Sequence, residues 1–215
     1  LLVEAGPDYL PGTEPADVLD SFSGYAYFNP KHLWNELRVH PRPMPHNDPG
    51  RAPAARYEQA RVIGGGSTIN GQVGYRGAPM DYDAWGAMGL DGWDWNGVLP
   101  YFRKLETDHD FDGPLHGKEG PQGISHLFRD RWAGYSRAVG QALEAAGFPY
   151  LDDQNGEFVK AYFPVAMTNV GDRRVSAAMA YLTTGVRGRP NLTIRSDTRV
   201  QGLIMEGRRC LGVRI

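Results

Sequence analysis

The sequence predicts an α/β fold in which a parallel strand ends on an acidic residue and a glycine-rich loop lays bare backbone against a ligand. Three observations carry that expectation. The opening residues, Leu1-Leu2-Val3-Glu4-Ala5-Gly6, put three apolar side chains before an acid and two small residues, the pattern of a buried parallel strand at its end. Further on, Ala60-Arg61-Val62-Ile63-Gly64-Gly65-Gly66-Ser67-Thr68-Ile69-Asn70-Gly71 holds three consecutive glycines, which remove every Cβ from one side of a loop. Late in the chain, Asn191-Leu192-Thr193-Ile194 reads as another strand.

Glu4 has two readings. It is either an ordinary exposed acid at a strand end or, as in dinucleotide-binding folds, an acceptor of hydrogen bonds from ribose hydroxyls. The glycine turn that accompanies such an acid stands about 20 residues upstream of it, ahead of Leu1. The glycine loop is equally two-sided. A tight turn explains a glycine run, and so does a flat or anionic ligand, for which Ser67 and Thr68 supply hydroxyls and Asn70 an amide.

From Pro7 to about Gly50 the chain is rich in Pro, Asp and aromatics, and its eight prolines from Pro7 to Pro49 argue against long helices. A loop this long is usually functional. Asp81-Tyr82-Asp83-Ala84-Trp85 suggests the start of a short helix, with acids at the positive end of its dipole. Apolar residues at 98, 99, 101, 102 and 105 fit an amphipathic helix capped by Asp94, with Pro100 near its first turns and its Trp and Phe residues in the core. Thr107 to Gly123 reads as a polar loop whose His109 and His116 lack a partner at metal-binding spacing and are taken as solvated. Gly123 to Phe128 is a strand candidate, and Trp132 to Gly147 a helix with Gly147 at its C-terminal end. Phe158 to Val170 alternates as a strand does, Ser176 is a plausible helix N-cap, and Gly202 to Ile215 reads as a closing hairpin.

Composition excludes several classes. A formal net charge of −2 gives no electrostatic reason to expect nucleic acid or an anionic membrane as partner. One cysteine, Cys210, excludes an internal disulfide framework and a cysteine-based metal cluster, and no metal site is expected. No run approaches the roughly 18 apolar residues of a membrane span. A cytoplasmic setting is the default expectation.

Glu4-Ala5-Gly6, the Arg-Val-Ile-Gly-Gly-Gly-Ser-Thr-Ile-Asn loop, Tyr75-Arg76-Gly77 and Asp81 to Trp85 together resemble the glucose-methanol-choline (GMC) flavoprotein oxidoreductases. Asp172-Arg173-Arg174-Val175-Ser176-Ala177-Ala178 with Tyr181-Leu182, then Asn191 to Ile194, extend the resemblance over essentially the whole chain. It implies an FAD/NAD(P)-binding Rossmann-like flavin domain over 1–106, part of an α+β substrate-binding or cap domain over 107–171, and a return to the flavin domain over 172–215. The implied function is oxidation of a CH–OH group of a small-molecule alcohol, with hydride transfer to FAD. A flavin-containing lyase of the same fold, or a non-catalytic module derived from it, stays open.

The resemblance also assigns roles. Glu4 and Ala5 match the ribose end of the cofactor site, and Gly65 and Gly66 the approach to the diphosphate. The family usually has serine where Gly66 stands, with Ser67 as a substitute donor. Asn70 and Gly71 match positions beside the flavin, Val73 one under its ring, and Val200 one whose backbone touches the adenine. Some members carry, at the place of Ile69, a histidine bonded covalently to the flavin, so non-covalent FAD is expected. The family's catalytic histidine, with its partner histidine or asparagine, corresponds to positions beyond Ile215. None of His32, His40, His46, His109, His116 or His126 matches it. The chain therefore reads as part of a longer enzyme, inactive and poor at holding FAD in isolation.

Overall fold

The computed structural model describes residues 1–42 and 53–215. Residues 43–50 of the proline-rich stretch, and His46 with them, lie outside the described residues. The chain forms two compact units. One joins Leu1–Gly71 to Ser176–Ile215, and the other is Gln72–Val175. Expected roles divide the sequence at 106 and 172, whereas packing divides it after Gly71 and after Val175.

In the first unit, β1 (Leu2–Val3) pairs in parallel with β9 (Ile194–Arg195), in register Leu2 to Ile194. The ladder continues past β1, because Glu4 N–H donates to Arg195 O and Thr198 N–H to Glu4 O, both at 2.9 Å. This strand end is half-buried rather than fully buried. Among the described residues of the next segment there are two single-turn helices, α1 (Ala16–Leu19) and α2 (Gly24–Tyr27), a 3-10 turn (Pro30–His32) and a short pair, β2 (Arg38–Val39) with β3 (Ala55–Arg56), as its prolines favour. Val18, Ala26, Leu33, Val62 and Ile69 form the core of this unit, flanked by Tyr9, Tyr27, Ala60 and Met179. Within that core His32 is fully buried, its Nε2 2.8 Å from the Tyr9 hydroxyl. Burial pushes its pKa down, against the opposing pull of Asp17.

Ser176 caps α6 (Ala177–Tyr181), its hydroxyl accepting from Met179 N–H at 3.3 Å, and α7 (Thr184–Arg187) follows under a Thr183 cap. Arg187 makes a two-pronged pair with Asp8 at 2.6 and 2.7 Å. The expected closing hairpin is β10 (Gly202–Glu206) with β11 (Arg209–Arg214), joined by two residues of which Gly207 has φ +54°.

In the second unit, α3 (Pro79–Ala87) begins on a proline, and α4 (Trp95–Leu105) is capped by Asp94, whose Oδ1 accepts from Gly97 N–H at 2.7 Å. Trp95 and Phe102 are half-buried and pack edge-on and tilted around Tyr82, with Phe158 completing the cluster. A three-stranded sheet runs β4 (Glu106–Asp108), β5 (Gln122–His126), β6 (Ala166–Met167), parallel and then antiparallel. Between β5 and β6 lies α5 (Gly134–Ala145), and Gly147 just past its end takes φ +85°. A last hairpin pairs β7 (Asn169–Val170) with β8 (Arg173–Arg174).

Two expectations are corrected here. Phe158 to Val170 is not one strand. Only β6 and β7 are extended ladders, while residues 158–165 form no strand, pairing through the single bridge Tyr150 to Tyr162 and interrupted by a buried Pro164, which has no N–H for a ladder. His116 is not a solvated loop histidine. It is 4% exposed, with Nε2 2.8 Å from Asp153 Oδ2 and Nδ1 3.1 Å from Asp108 Oδ2. The loop reaches this position because Gly117 and Gly120 lie hard against β4 and its entry. A Cβ at Gly117 would fall 1.9 Å from Arg103 O, and one at Gly120 2.3 Å from Glu106 N.

Candidate cofactor cleft

Where β1 ends, a cleft of about 340 Å³ opens in the first unit, lined by Leu2, Val3 and Glu4 of the strand end, by Gly64 of the glycine loop, and by Ala178 and Tyr181 of α6. A strand end, a glycine loop and a helix start thus converge on one space. Glu4 is fixed there by its own turn, Oε1 accepting from Gly6 N–H at 2.7 Å. Gly6 cannot be otherwise, since a Cβ would fall 2.0 Å from Arg61 O. Ala5 contributes its carbonyl, which accepts from Arg61 Nε at 3.1 Å, and the same guanidinium lies over the Trp34 ring.

The three glycines have different reasons to be glycine. Gly64 has φ +87°, and a Cβ on it would meet Thr68 Oγ1 at 2.5 Å and Ala178 Cβ at 3.1 Å, so packing demands it. Gly65, at φ +58°, and Gly66 open a short 3-10 turn, Gly65–Thr68, and a Cβ on either would meet nothing within 4 Å. Their bare backbone faces open space. Ser67 ties the loop to α6: its hydroxyl donates to Gly64 O at 2.6 Å and accepts from Ala177 N–H at 2.8 Å. Its single proton is therefore committed within the loop.

The remaining sequence-derived residues fall as follows. Asn70 and Gly71 are exposed at the end of the loop, Asn70 N–H donating to Gly66 O at 2.8 Å. Val200 is 40% exposed in irregular backbone between β9 and β10. Val73 belongs to the second unit, half exposed and bridged to Met167. Of the residues singled out from the sequence, only Glu4 lines the cleft, with Ser67 bonded to a backbone N–H of a lining residue. Gly64, Ala178 and Tyr181 were not assigned roles. Their signal was present, because all three lie inside the motif segments, but nothing local says that two segments more than a hundred positions apart face each other. Ile69 is 4% exposed and packed in the apolar core with Val18 and Leu33.

An acid at a parallel strand end, an open stretch of glycine backbone and an apolar wall are what a dinucleotide requires of its site. The residues present fit such a group. The sequence pattern of the GMC oxidoreductases matches residues 51–215. The chain therefore belongs to the GMC oxidoreductase family, whose members are FAD flavoproteins. It is 44% identical over 218 residues to 5-(hydroxymethyl)furfural oxidase of Methylovorus sp. (strain MP688), covering 100% of this chain and 41% of that protein. Oxygen-dependent choline dehydrogenase of Brucella anthropi is 37% identical over 73% of this chain and 28% of its own length. Among solved structures, pyridoxine 4-oxidase from Mesorbium loti superposes with a TM-score of 0.82 at 31% identity, over 99% of this chain and 40% of that one. The chain thus spans between 28% and 41% of the length of these relatives. Among the described residues, no helix is long and apolar enough to cross a membrane.

Proposed function

We propose that the protein containing this chain oxidises the CH–OH group of a small-molecule alcohol with FAD as hydride acceptor, and that the first unit supplies the adenosine-diphosphate end of the cofactor site. The observation that carries this reading is the convergence of Glu4 and Gly64 on one cleft, with the open backbone of Gly65 and Gly66 beside it. Bound FAD supplies the redox chemistry, taking the hydride from the alcohol carbon. The chain's own residues bind and orient. Glu4 accepts from the ribose hydroxyls, and Gly65 and Gly66 let the backbone meet the diphosphate without a side chain in the way. Asn70, Gly71 and Val73 serve the flavin end, and Val200 meets the adenine through its backbone. FAD is held without a covalent bond, a reading supported by Ile69, whose side chain is apolar and turned into the core.

No histidine of this chain is assigned as the proton acceptor. His32, His116 and His126 are buried in packing and charge networks. Hydroxymethyl-furans, choline and pyridoxine are the first substrates to test, being the compounds named in the relatives. The full-length protein, mixed anaerobically with each, is expected to lose its visible flavin absorbance with at least one. Retention of the oxidised spectrum with every alcohol tried overturns the proposal.

A further inference from the structure

The second unit buries more negative charge than the cofactor reading uses. Glu106 and Asp108 of β4 are 4% and 0% exposed, and Asp153, from the loop ahead of Gly156, joins them at His116. Arg76 pairs with Glu106, and its other guanidinium nitrogen donates to Leu115 O. Asp108 Oδ1 accepts from Asp110 N–H and Phe111 N–H at 2.9 Å each. From β5, His126 faces Asp110 at 3.1 Å and Asp108 at 3.9 Å. Lys118 Nζ donates to Asp108 O and pairs with Asp112, and Arg103 Nε of α4 donates to His116 O. The Phe111 ring lies beside His116. Three carboxylates thus lie within 4 Å of one imidazole, and among the described residues the only guanidinium paired with any of them is that of Arg76.

We propose that His116 is a permanently charged imidazolium that clamps the Gly113–Gly120 loop and the Asp153 loop onto β4. The argument is one of charge. A neutral imidazole has one N–H and one lone pair, so it satisfies one carboxylate and repels a second. Nε2 of His116 hydrogen-bonds Asp153 Oδ2 at 2.8 Å, while Nδ1 has no aligned hydrogen-bond partner but lies 3.1 Å from Asp108 Oδ2 and 3.6 Å from Glu106 Oε1. A lone pair on Nδ1 would face two buried carboxylates, whereas the doubly protonated ring sets a positive charge among all three. Burial alone lowers the pKa of His116, but Asp108, Asp153 and Glu106 outweigh it and push it up to about 11. The same pairing, with Arg76 and backbone N–H groups, holds Glu106 and Asp108 below the usual carboxylate range against their own burial. The clamp is mutual: a buried carboxylate group of this size is tolerable only with a compensating cation inside it.

Neutron diffraction from crystals of the full-length protein at mildly alkaline pD tests this directly. Deuterium on both ring nitrogens of His116 is the expected result. A single deuteron, or a metal ion bound in place of the proton, overturns the proposal. Thermal unfolding of variants gives an independent reading. His116→Gln is expected to lower Tm, and adding Asp108→Asn to it is expected to raise Tm again by removing an uncompensated charge, although Asp108→Asn alone lowers it. Equal losses from Asp108→Asn in both backgrounds overturn the charge argument, and the diffraction result stands if His116→Gln does not fold.

Discussion

Glu4 shows how one side chain is prepared by its neighbours. Its carboxylate is held by Gly6 N–H, and Gly6 is fixed as glycine by the carbonyl of Arg61, so the acid lines the cleft with less side-chain freedom to lose. Glu4→Gln keeps an acceptor for Gly6 but loses the charge. In the full-length protein its FAD Kd is expected to rise about tenfold, the size of one charge-assisted hydrogen bond of ~1.5 kcal/mol. Fluorescence titration of the flavin-free protein checks this, and an unchanged Kd removes Glu4 from the site. His32 gives a residue-scale pH effect of known sign. Its folded pKa is depressed by burial, so the unfolded chain takes up a proton first as pH falls through about 6.5. The stability it contributes is fully present above that pH and is lost as pH falls toward the lower folded value. Tm measured from pH 7.5 down to 5.5, a range about one unit either side of the free histidine value, is expected to fall, and to fall less steeply in His32→Gln. Equal slopes would assign the acid sensitivity elsewhere.

Elements whose signals are local were legible in the sequence. Asp94 and Ser176 cap α4 and α6, Gly147 ends α5, and the hairpin turns at Gly207, each because a cap or turn needs residues only a few positions apart. Ser176→Ala removes the acceptor for Met179 N–H in a buried position and is expected to cost about 1 kcal/mol, read by denaturant unfolding. What was not legible depends on distant partners. His116 reads as a loop histidine until Asp153, which is 37 positions away, is brought beside it by the fold. The loop that carries it is set by glycines rather than by pattern. Gly117→Ala is expected to prevent the loop from closing on β4, lowering Tm far more than Gly12→Ala. At Gly12, where no atom lies within 4 Å of a Cβ, only the left-handed φ costs, about 1 kcal/mol. Similar losses at the two positions would refute the close approach at Gly117.

At the scale of the molecule, the compact units differ from a division by role because long-range backbone pairing decides compactness. Thr168 N–H donates to Gln72 O at 2.7 Å and Gly74 N–H to Ala166 O at 2.8 Å, so residues 72–76 fold with 166–168 rather than with the glycine loop that precedes them. No periodicity in residues 60–106 reports a partner ninety positions later. The bare backbone of the glycine loop was legible, but the direction of its side chains was not. Ile69 lies in the middle of the loop and yet belongs to the core, buried with Val18, Ala26, Leu33 and Val62. That placement bears on how the whole protein keeps its cofactor. With no nucleophilic ring at 69 and an apolar socket around it, acid precipitation of the full-length holoprotein is expected to leave all the FAD in the supernatant. Colour retained in the washed pellet would show a covalent bond made by another residue. Ile69→His is expected not to create such a bond. It places an unpaired polar ring in the core, at a cost of roughly 2 kcal/mol or more, so the variant is expected to melt earlier and still release its flavin. A variant that keeps its Tm and retains flavin after precipitation would show that residue 69 turns toward the cofactor rather than into the core.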